Sequence, residues 1–199
     1  MGTQQITVEL LLKRQEVLPY VQQVVEAAET DRLALGWFPL KVYQEAAISE
    51  RLIVAVAREG HEVRYAGHLL FAVTFPRGYV TQIHVDSGHR RHGIAKRMLD
   101  ALKAQLGALN YISIGARVAE DLRASQEFWQ CQGFYAHGTA PGGKTRGRTL
   151  VVRSHELPTQ QLFATSGLSH RDPLGLGVEP SASTKLHLLG LNGVFDLGP

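Results

Sequence analysis

Cysteine is almost absent from this chain of 199 residues, with Cys131 standing alone. A lone cysteine excludes an internal disulfide and a cysteine-rich metal site, and it fits a reducing compartment, so the cytoplasm is the expected address. Inside an apolar helix such a residue reads as a small core side chain. Of the nine histidines only His89 and His92 are closely spaced, and no third ligand stands near them, so no metal is expected. Long apolar runs are missing too: none approaches the roughly 20 residues a membrane helix needs. The first apolar stretch carries Glu9, Lys13, Arg14 and Glu16, which leaves it without the uncharged centre of a signal peptide. Charge of one sign is scarce, with 21 Lys and Arg against 18 Asp and Glu. That balance suits an anionic ligand and does not choose between a nucleotide cofactor and RNA. The apolar share of 44% and charged share of 20% are ordinary for a globular chain.

What is present reads as alternating strands and helices. Residues Ile6 to Leu12 suit a strand, and Val21, Val24, Val25 and Ala28 recur at helical spacing within a helix from Leu18 to Ala28. Gly36 and Pro39 break the chain before a short helix carrying Val42, Tyr43, Ala46 and Ala47, and Leu52 to Ala57 follows as a strand. His68 to Phe75 is an apolar run that starts after Gly67 and is stopped by Pro76 and Gly78. Next come a strand Tyr79 to Val85, a helix Gly93 to Leu106, a strand Tyr111 to Ala116 and a helix Ala119 to Gln132 ending before Gly133. Short strands Phe134 to His137 and Thr149 to Val152, joined through Gly142 and Gly143, close a domain spanning 1–156. Residues 157–184, rich in Pro, Ser, Thr and Gly, read as a linker or extended arm, and 185–199 as an apolar segment that packs on the domain, self-associates or opens a further domain.

The chemistry concentrates in YVTQIHVDSGHRRHGIAKRMLDAL, where a strand, a turn rich in glycine and cations, and an amphipathic helix follow one another. Gly93 lets the backbone approach a ligand closely, Ala95 keeps the next position small, and the N–H groups opening a helix carry partial positive charge. Arg90, Arg91, His92 and Lys96 place cationic or protonatable groups beside those amides. A pyrophosphate belongs at such a place.

Arg90, Arg91, His92, Gly93, Ile94 and Ala95 resemble the acetyl-CoA motif of the GNAT superfamily of N-acetyltransferases, which is Gln or Arg, two residues, Gly, one residue, then Gly or Ala. A second match lies in FWQCQGF, where Gly133 and Phe134 follow a helix as they do in that family. The resemblance spans roughly Ile6 to Val152. It implies an α/β (α+β) fold, with a central mixed, mostly antiparallel twisted sheet flanked by helices and splayed at the cofactor site. It also implies that acetyl-CoA is held by Ile83, His84 and Val85 along the strand and by Arg90 to Lys96 in the loop.

Acetyl transfer to an amine needs an acceptor for the amine's proton, and donors for the carbonyl oxygen and the leaving thiolate. The family's Glu or His base matches Tyr79 or Thr81 here, neither of them a base at neutral pH. His84 has the suitable intrinsic pKa, and is equally readable as a hydrogen-bonded histidine beneath the sheet. Strict alternation puts Tyr79, Thr81, Ile83 and Val85 on one face and Val80, Gln82 and His84 on the other, unless a bulge re-aims them. The tyrosine that serves many relatives as general acid is replaced by Trp129, which has an N–H but no transferable proton. Ser125 is the nearest alternative hydroxyl, and a helix cap explains it as well. Trp37, Phe38 and Tyr43 read either as a core cluster or as the lining of the acceptor entrance.

The resemblance therefore implies an N-acetyltransferase acting on a primary amine: a metabolite, a peptide N-terminus or a lysine. Aminoacyl-tRNA is a further acceptor that the hairpin cations Lys144, Arg146 and Arg148 would suit. Trp129 motivates a rival, a regulatory module that binds acetyl-CoA with little or no catalysis. Homodimers are compatible with the family and with an apolar tail. LLGLNGVFD faintly resembles the opening strand of PIN-type nucleases, with Asn192 and Asp196 in place and Gly190 where their first acidic ligand would stand.

Overall fold

The computed structural model describes residues 7–142 and 147–158. Lys144, Arg146 and the expectations placed on 159–199 lie outside the described residues.

Seven strands form one sheet in the order β1-β2-β3-β4-β5-β7-β6. They are β1 (Thr7–Leu11), β2 (Leu52–Glu59), β3 (Glu62–Thr74), β4 (Arg77–Val85), β5 (Ser113–Ala119), β6 (Tyr135–Gly142) and β7 (Arg148–Glu156). Every neighbouring pair is antiparallel except β4 and β5. Those two are parallel because helix α5 (Ile94–Ala108) carries the chain back between them. The remaining helices are α1 (Arg14–Val17), α2 (Val21–Thr30), α3 (Arg32–Leu35), α4 (Leu40–Ile48) and α6 (Arg123–Cys131).

Both faces of the sheet are covered, which is why Leu52 to Ala57 in β2 are buried without alternation. On one face Ile94, Met98, Leu99, Leu102 and Leu106, a single stripe of α5, pack with Ile53, Leu69, Phe71 and Ile114. On the other, Val21, Val24 and Ala28 of α2 and Tyr43 and Ala47 of α4 cover Leu52, Val54 and Leu70. Each fully buried Leu or Ile contributes about 1.5–3 kcal/mol to these cores.

The elements differ from expectation at informative points. Strand β3 does not begin after Gly67 but runs through it, starting at Glu62. A Cβ at Gly67 would lie 2.5 Å from the main-chain oxygen of His84, so the glycine marks close strand approach and not a break. Ala119, expected to open a helix, ends β5, and α6 starts only at Arg123. Gly142 lies in β6 and not in the turn. Cys131, expected in the core, is exposed.

Two irregularities shape the centre of the sheet. The β3–β4 register shifts between Leu70 and Phe71, which pair with Gln82 and Val80, so Thr81 is an extra residue, a bulge. And β4 pairs with β5 only from Arg77↔Ser113 to Val80↔Ala116; beyond Val80 the two strands are unpaired and a wedge opens.

Candidate active site

The bulge overturns the simple alternation along β4. Val80, Ile83 and Val85 pack on the α5 face, whereas Gln82 and His84 turn to the face covered by α2 and α4. Tyr79, half exposed, also lies on that second face, with its ring 3.0 Å from where a Cβ of Gly115 would stand. Thr81 donates its hydroxyl to the carbonyl of Leu70 at 3.0 Å and so closes the bulge. The Asp86 amide donates to the carbonyl of Ala66 at 2.9 Å, and the antiparallel alternation then points the main-chain groups of Ile83 and Val85 away from β3, into the wedge.

At the end of β4 the chain turns through Ser87–His89, capped by Asp86, whose carboxylate accepts from the Gly88 amide at 3.1 Å. Arg91 has φ +65° and Gly93 φ +73°, so two left-handed residues fold the loop into a concavity from which α5 departs. The first helical hydrogen bond runs from the Arg97 amide to the carbonyl of Gly93, which leaves the amides of Ile94, Ala95 and Lys96 without intrahelical acceptors. A Cβ on Gly93 would meet nothing within 4 Å, so the space over the loop is open. A phosphate fits there on both counts: unspent N–H groups and backbone bare enough to be approached.

The loop's cations are unequally disposed. Lys96 pairs with Asp100 at 2.6 Å, and His92 Nδ1 lies 3.3 Å from the carbonyl of His89. Arg90 points away from the concavity: its Nε donates to the carbonyl of Val85 at 3.0 Å and its Nη2 to Asp31 Oδ2 at 3.1 Å. Arg91 is exposed and makes no such contact among the described residues.

Behind the loop lies a buried polar cluster. Asp31 Oδ2 also meets His84 Nδ1 at 3.2 Å. Since a carboxylate only accepts, Nδ1 carries the proton and Nε2 keeps its lone pair. Burial lowers the pKa of His84, outweighing the upward pull of Asp31, so the ring is neutral at pH 7. Its ring stacks against those of Tyr65 and His68, which also neighbour each other. Tyr65 donates its hydroxyl to His68 Nδ1 at 2.6 Å, and burial raises the tyrosine's pKa, so it stays protonated. His68 is fully buried and its pKa falls to about 3, through burial first and the neighbouring His84 second. Its Nε2 has no hydrogen-bond partner among the described residues, although Gln82 lies close enough to oppose the shift in part. Gln82 itself accepts from Tyr43 at 2.9 Å and donates to the carbonyl of Leu35.

The far side of the wedge is held differently. Gln126 Nε2 donates to the carbonyls of Val118 and Ala119, at the end of β5 that pairs with β7 but not with β4, and its Oε1 accepts from the buried Arg153 at 2.8 and 2.9 Å. Arg153 also donates to the carbonyl of Phe134. Ser125 sits half-buried beside Gln126 on α6. Trp129, at the position where the resemblance implies a tyrosine, is a core residue, 4% exposed with its ring 4.7 Å from that of Phe134. The aromatic trio divides: Tyr43 is core, whereas Trp37 is half exposed, with Arg32 over its ring. Arg148 is tied to Asp121 at 2.7 Å and to the carbonyl of Leu33, and is thus engaged within the protein.

Sequence reasoning brought His84, Val85 and Arg90 to Lys96 to one place but missed Asp31, Tyr65, His68 and Gln126. Only an acidic residue in the helix-breaking stretch before Gly36 could have pointed to Asp31. Among the described residues no group of three or more His, Cys, Asp or Glu could hold a metal, and no helix is long and apolar enough to cross a membrane.

A wedge between parallel strands that leads into a glycine-bearing anion loop is the arrangement the resemblance implied, and the family model named "Acetyltransferase (GNAT) family" matches residues 21–134. The chain belongs to the GNAT family. Solved structures of similar fold include YncA of Salmonella typhimurium with its cofactor acetyl-CoA (TM-score 0.60, 15% identity, 86% of this chain and 99% of that one). They also include Ard1 of Thermoplasma volcanium (0.59, 16%, 77% and 98%). A third is NAA60 of Arabidopsis thaliana in complex with a bisubstrate analogue (0.65, 8%, 75% and 98%). No curated protein sequence matches the chain. At these identities the similar structures speak for the fold of this GNAT chain and not for its acceptor.

Proposed function

We propose that this GNAT chain is an N-acetyltransferase that moves an acetyl group from acetyl-CoA to a primary amine by direct attack in a ternary complex. The observation that carries the proposal is the wedge beyond Val80 running into the left-handed, uncovered Gly93 at the start of α5. Bound acetyl-CoA supplies an acetyl group activated as a thioester. The main-chain groups of Ile83 and Val85 are placed to pair with its amide-containing arm, and the amides from Arg91 to Lys96, with the Arg91 guanidinium, to hold its pyrophosphate.

On the opposite face His84 is the residue fit to take a proton, because Asp31 fixes its tautomer and burial keeps it neutral. Tyr79 and Thr81 border the wedge; Thr81 maintains the bulge, and Tyr79 presents an exposed ring to the acceptor. Ser125 is the hydroxyl that stands in for the absent tyrosine as donor to the thiolate. The acceptor enters from the side of Trp37 and Tyr79.

A second reading, a module that binds acetyl-CoA without turnover, is favoured by the burial of Trp129 in the core. Calorimetric titration with acetyl-CoA, with Gly93→Glu as control, tests the cofactor. Placing a carboxylate about 4 Å from a phosphate costs on the order of 1–4 kcal/mol, so affinity should fall by about fivefold or more. Failure of the unaltered protein to bind refutes both readings. Thiol release that depends on added primary amines supports transfer, and binding without release supports the second reading.

A further inference from the structure

Arg90 opens the acetyl-CoA motif, yet its guanidinium is turned from the phosphate concavity toward the acceptor side. There its Nη2 and His84 Nδ1 converge on one carboxylate oxygen, Asp31 Oδ2, at 3.1 and 3.2 Å, while its Nε holds the carbonyl of Val85 at 3.0 Å. Asp31 sits at the junction of α2 and α3, in the segment that leads to Leu35, whose carbonyl accepts from Gln82, and to Trp37. One side chain thus touches three parts at once: the last residue of β4, the cofactor loop of which it is itself a member, and the helices that border the acceptor.

We propose that Arg90 and Asp31 are positioning residues that fasten the cofactor loop to the acceptor helices, so that loading acetyl-CoA rigidifies the α2–α3 junction and sets His84 for the amine. This rests on the proposed acetyl-CoA site. The physical reason is charge placement. Asp31, with its side chain 36% exposed, carries one charge between a guanidinium and a buried imidazole, and an ionic hydrogen bond of that kind is about twice as strong as a neutral one. Ordering the loop over a pyrophosphate holds Arg90 still, and Arg90 in turn holds Asp31. Linkage then requires the reverse: an acceptor that orders the junction tightens the cofactor.

The test uses free coenzyme A as probe on the full chain and reads amide hydrogen exchange over residues 28–40 together with calorimetric affinity. In the unaltered protein the coenzyme should slow exchange in that segment by about five- to tenfold, within the usual range of coupling between sites. In Arg90→Met and in Asp31→Ala the slowing should fall below about twofold, while affinity stays within about threefold of the unaltered protein. Undiminished slowing in both variants overturns the inference. So does a loss of affinity beyond about tenfold in Arg90→Met with Asp31→Ala unaffected, because Arg90 would then be a phosphate ligand. Should the unaltered protein bind no coenzyme, the proposed function itself fails; should it bind without slowing exchange at 28–40, that function stands and this inference alone falls.

Discussion

His68 should make this protein sensitive to mild acid. The ring is wholly buried, accepts from Tyr65 at Nδ1 and faces His84, so protonation would place an uncompensated charge beside a second imidazole. Its pKa is therefore held at about 3 against an ordinary value of 6.5. The unfolded chain takes up the proton below pH 6.5 and the folded chain does not until about pH 3, so stability is lost as pH falls through that window. The slope is about 1.4 kcal/mol per pH unit, which amounts to about 2 kcal/mol between pH 7.5 and pH 5 from this residue alone. His84, whose pKa is also lowered by burial, adds a loss of the same sign. Urea unfolding at pH 7.5 and pH 5 measures the difference. In His68→Gln, which keeps an acceptor for Tyr65 but cannot titrate, the pH-dependent loss should shrink by about 2 kcal/mol whatever the variant's stability at pH 7.5. An equal loss in variant and unaltered protein would refute the reasoning, since the acid sensitivity would then arise elsewhere.

Three further substitutions separate binding from folding. Gly93→Ala meets no protein atom within 4 Å but retains a left-handed φ, so it should cost about 1–2 kcal/mol in thermal unfolding and yet weaken acetyl-CoA binding by calorimetry. Arg153→Met strips the hydrogen bonds from Gln126 Oε1 and the carbonyl of Phe134, and should cost about 2–4 kcal/mol in urea unfolding. Trp129→Tyr should lose about 2 kcal/mol, through volume and a buried hydroxyl, with no gain in thiol release; a faster release would place that position at the reacting atoms.

Much of the site was legible because its signals are local. Gly93, a strand before it and an apolar stripe after it are all set within about thirty residues, where backbone sterics and helix periodicity act directly. The α5 stripe from Ile94 to Leu106 and the apolar β2 were readable for the same reason. What stayed hidden depends on pairing between distant segments. Nothing near Gly67 announces that the His84 main chain will lie against it, and a breaker and a close-approach glycine are the same letter in sequence. Asp31 and His84 are joined by a helix junction meeting a strand end, as Gln126 and Arg153 are joined across β5. The place of Arg90 in the motif predicts a phosphate cation, whereas its side-chain geometry depends on Asp31, 59 residues earlier.

The bulge at Thr81 is what lets one strand serve two sides. Side chains on a strand alternate, so if Thr81 held an ordinary place in the ladder Val80, Gln82 and His84 would share a face. Because Thr81 interrupts the pairing, Val80, Ile83 and Val85 all anchor the α5 core, while Gln82 and His84 reach Tyr43 and Asp31 on the other side. Deleting Thr81 should therefore leave every other side chain on its present face, because Val80, Gln82, Ile83, His84 and Val85 then follow one another in regular alternation. Gln82 keeps Tyr43 and His84 keeps Asp31, so the deletion removes only the local twist of the bulge and the bond to Leu70, at about 1–3 kcal/mol. Against a total stability of about 5–15 kcal/mol, unfolding followed by circular dichroism should stay cooperative. Thr81→Gly keeps the residue count and loses only the bond to Leu70, so it should cost no more than about 1–2 kcal/mol. If the deletion instead abolishes cooperative unfolding, Thr81 is not the residue outside the ladder and the faces assigned along β4 are refuted.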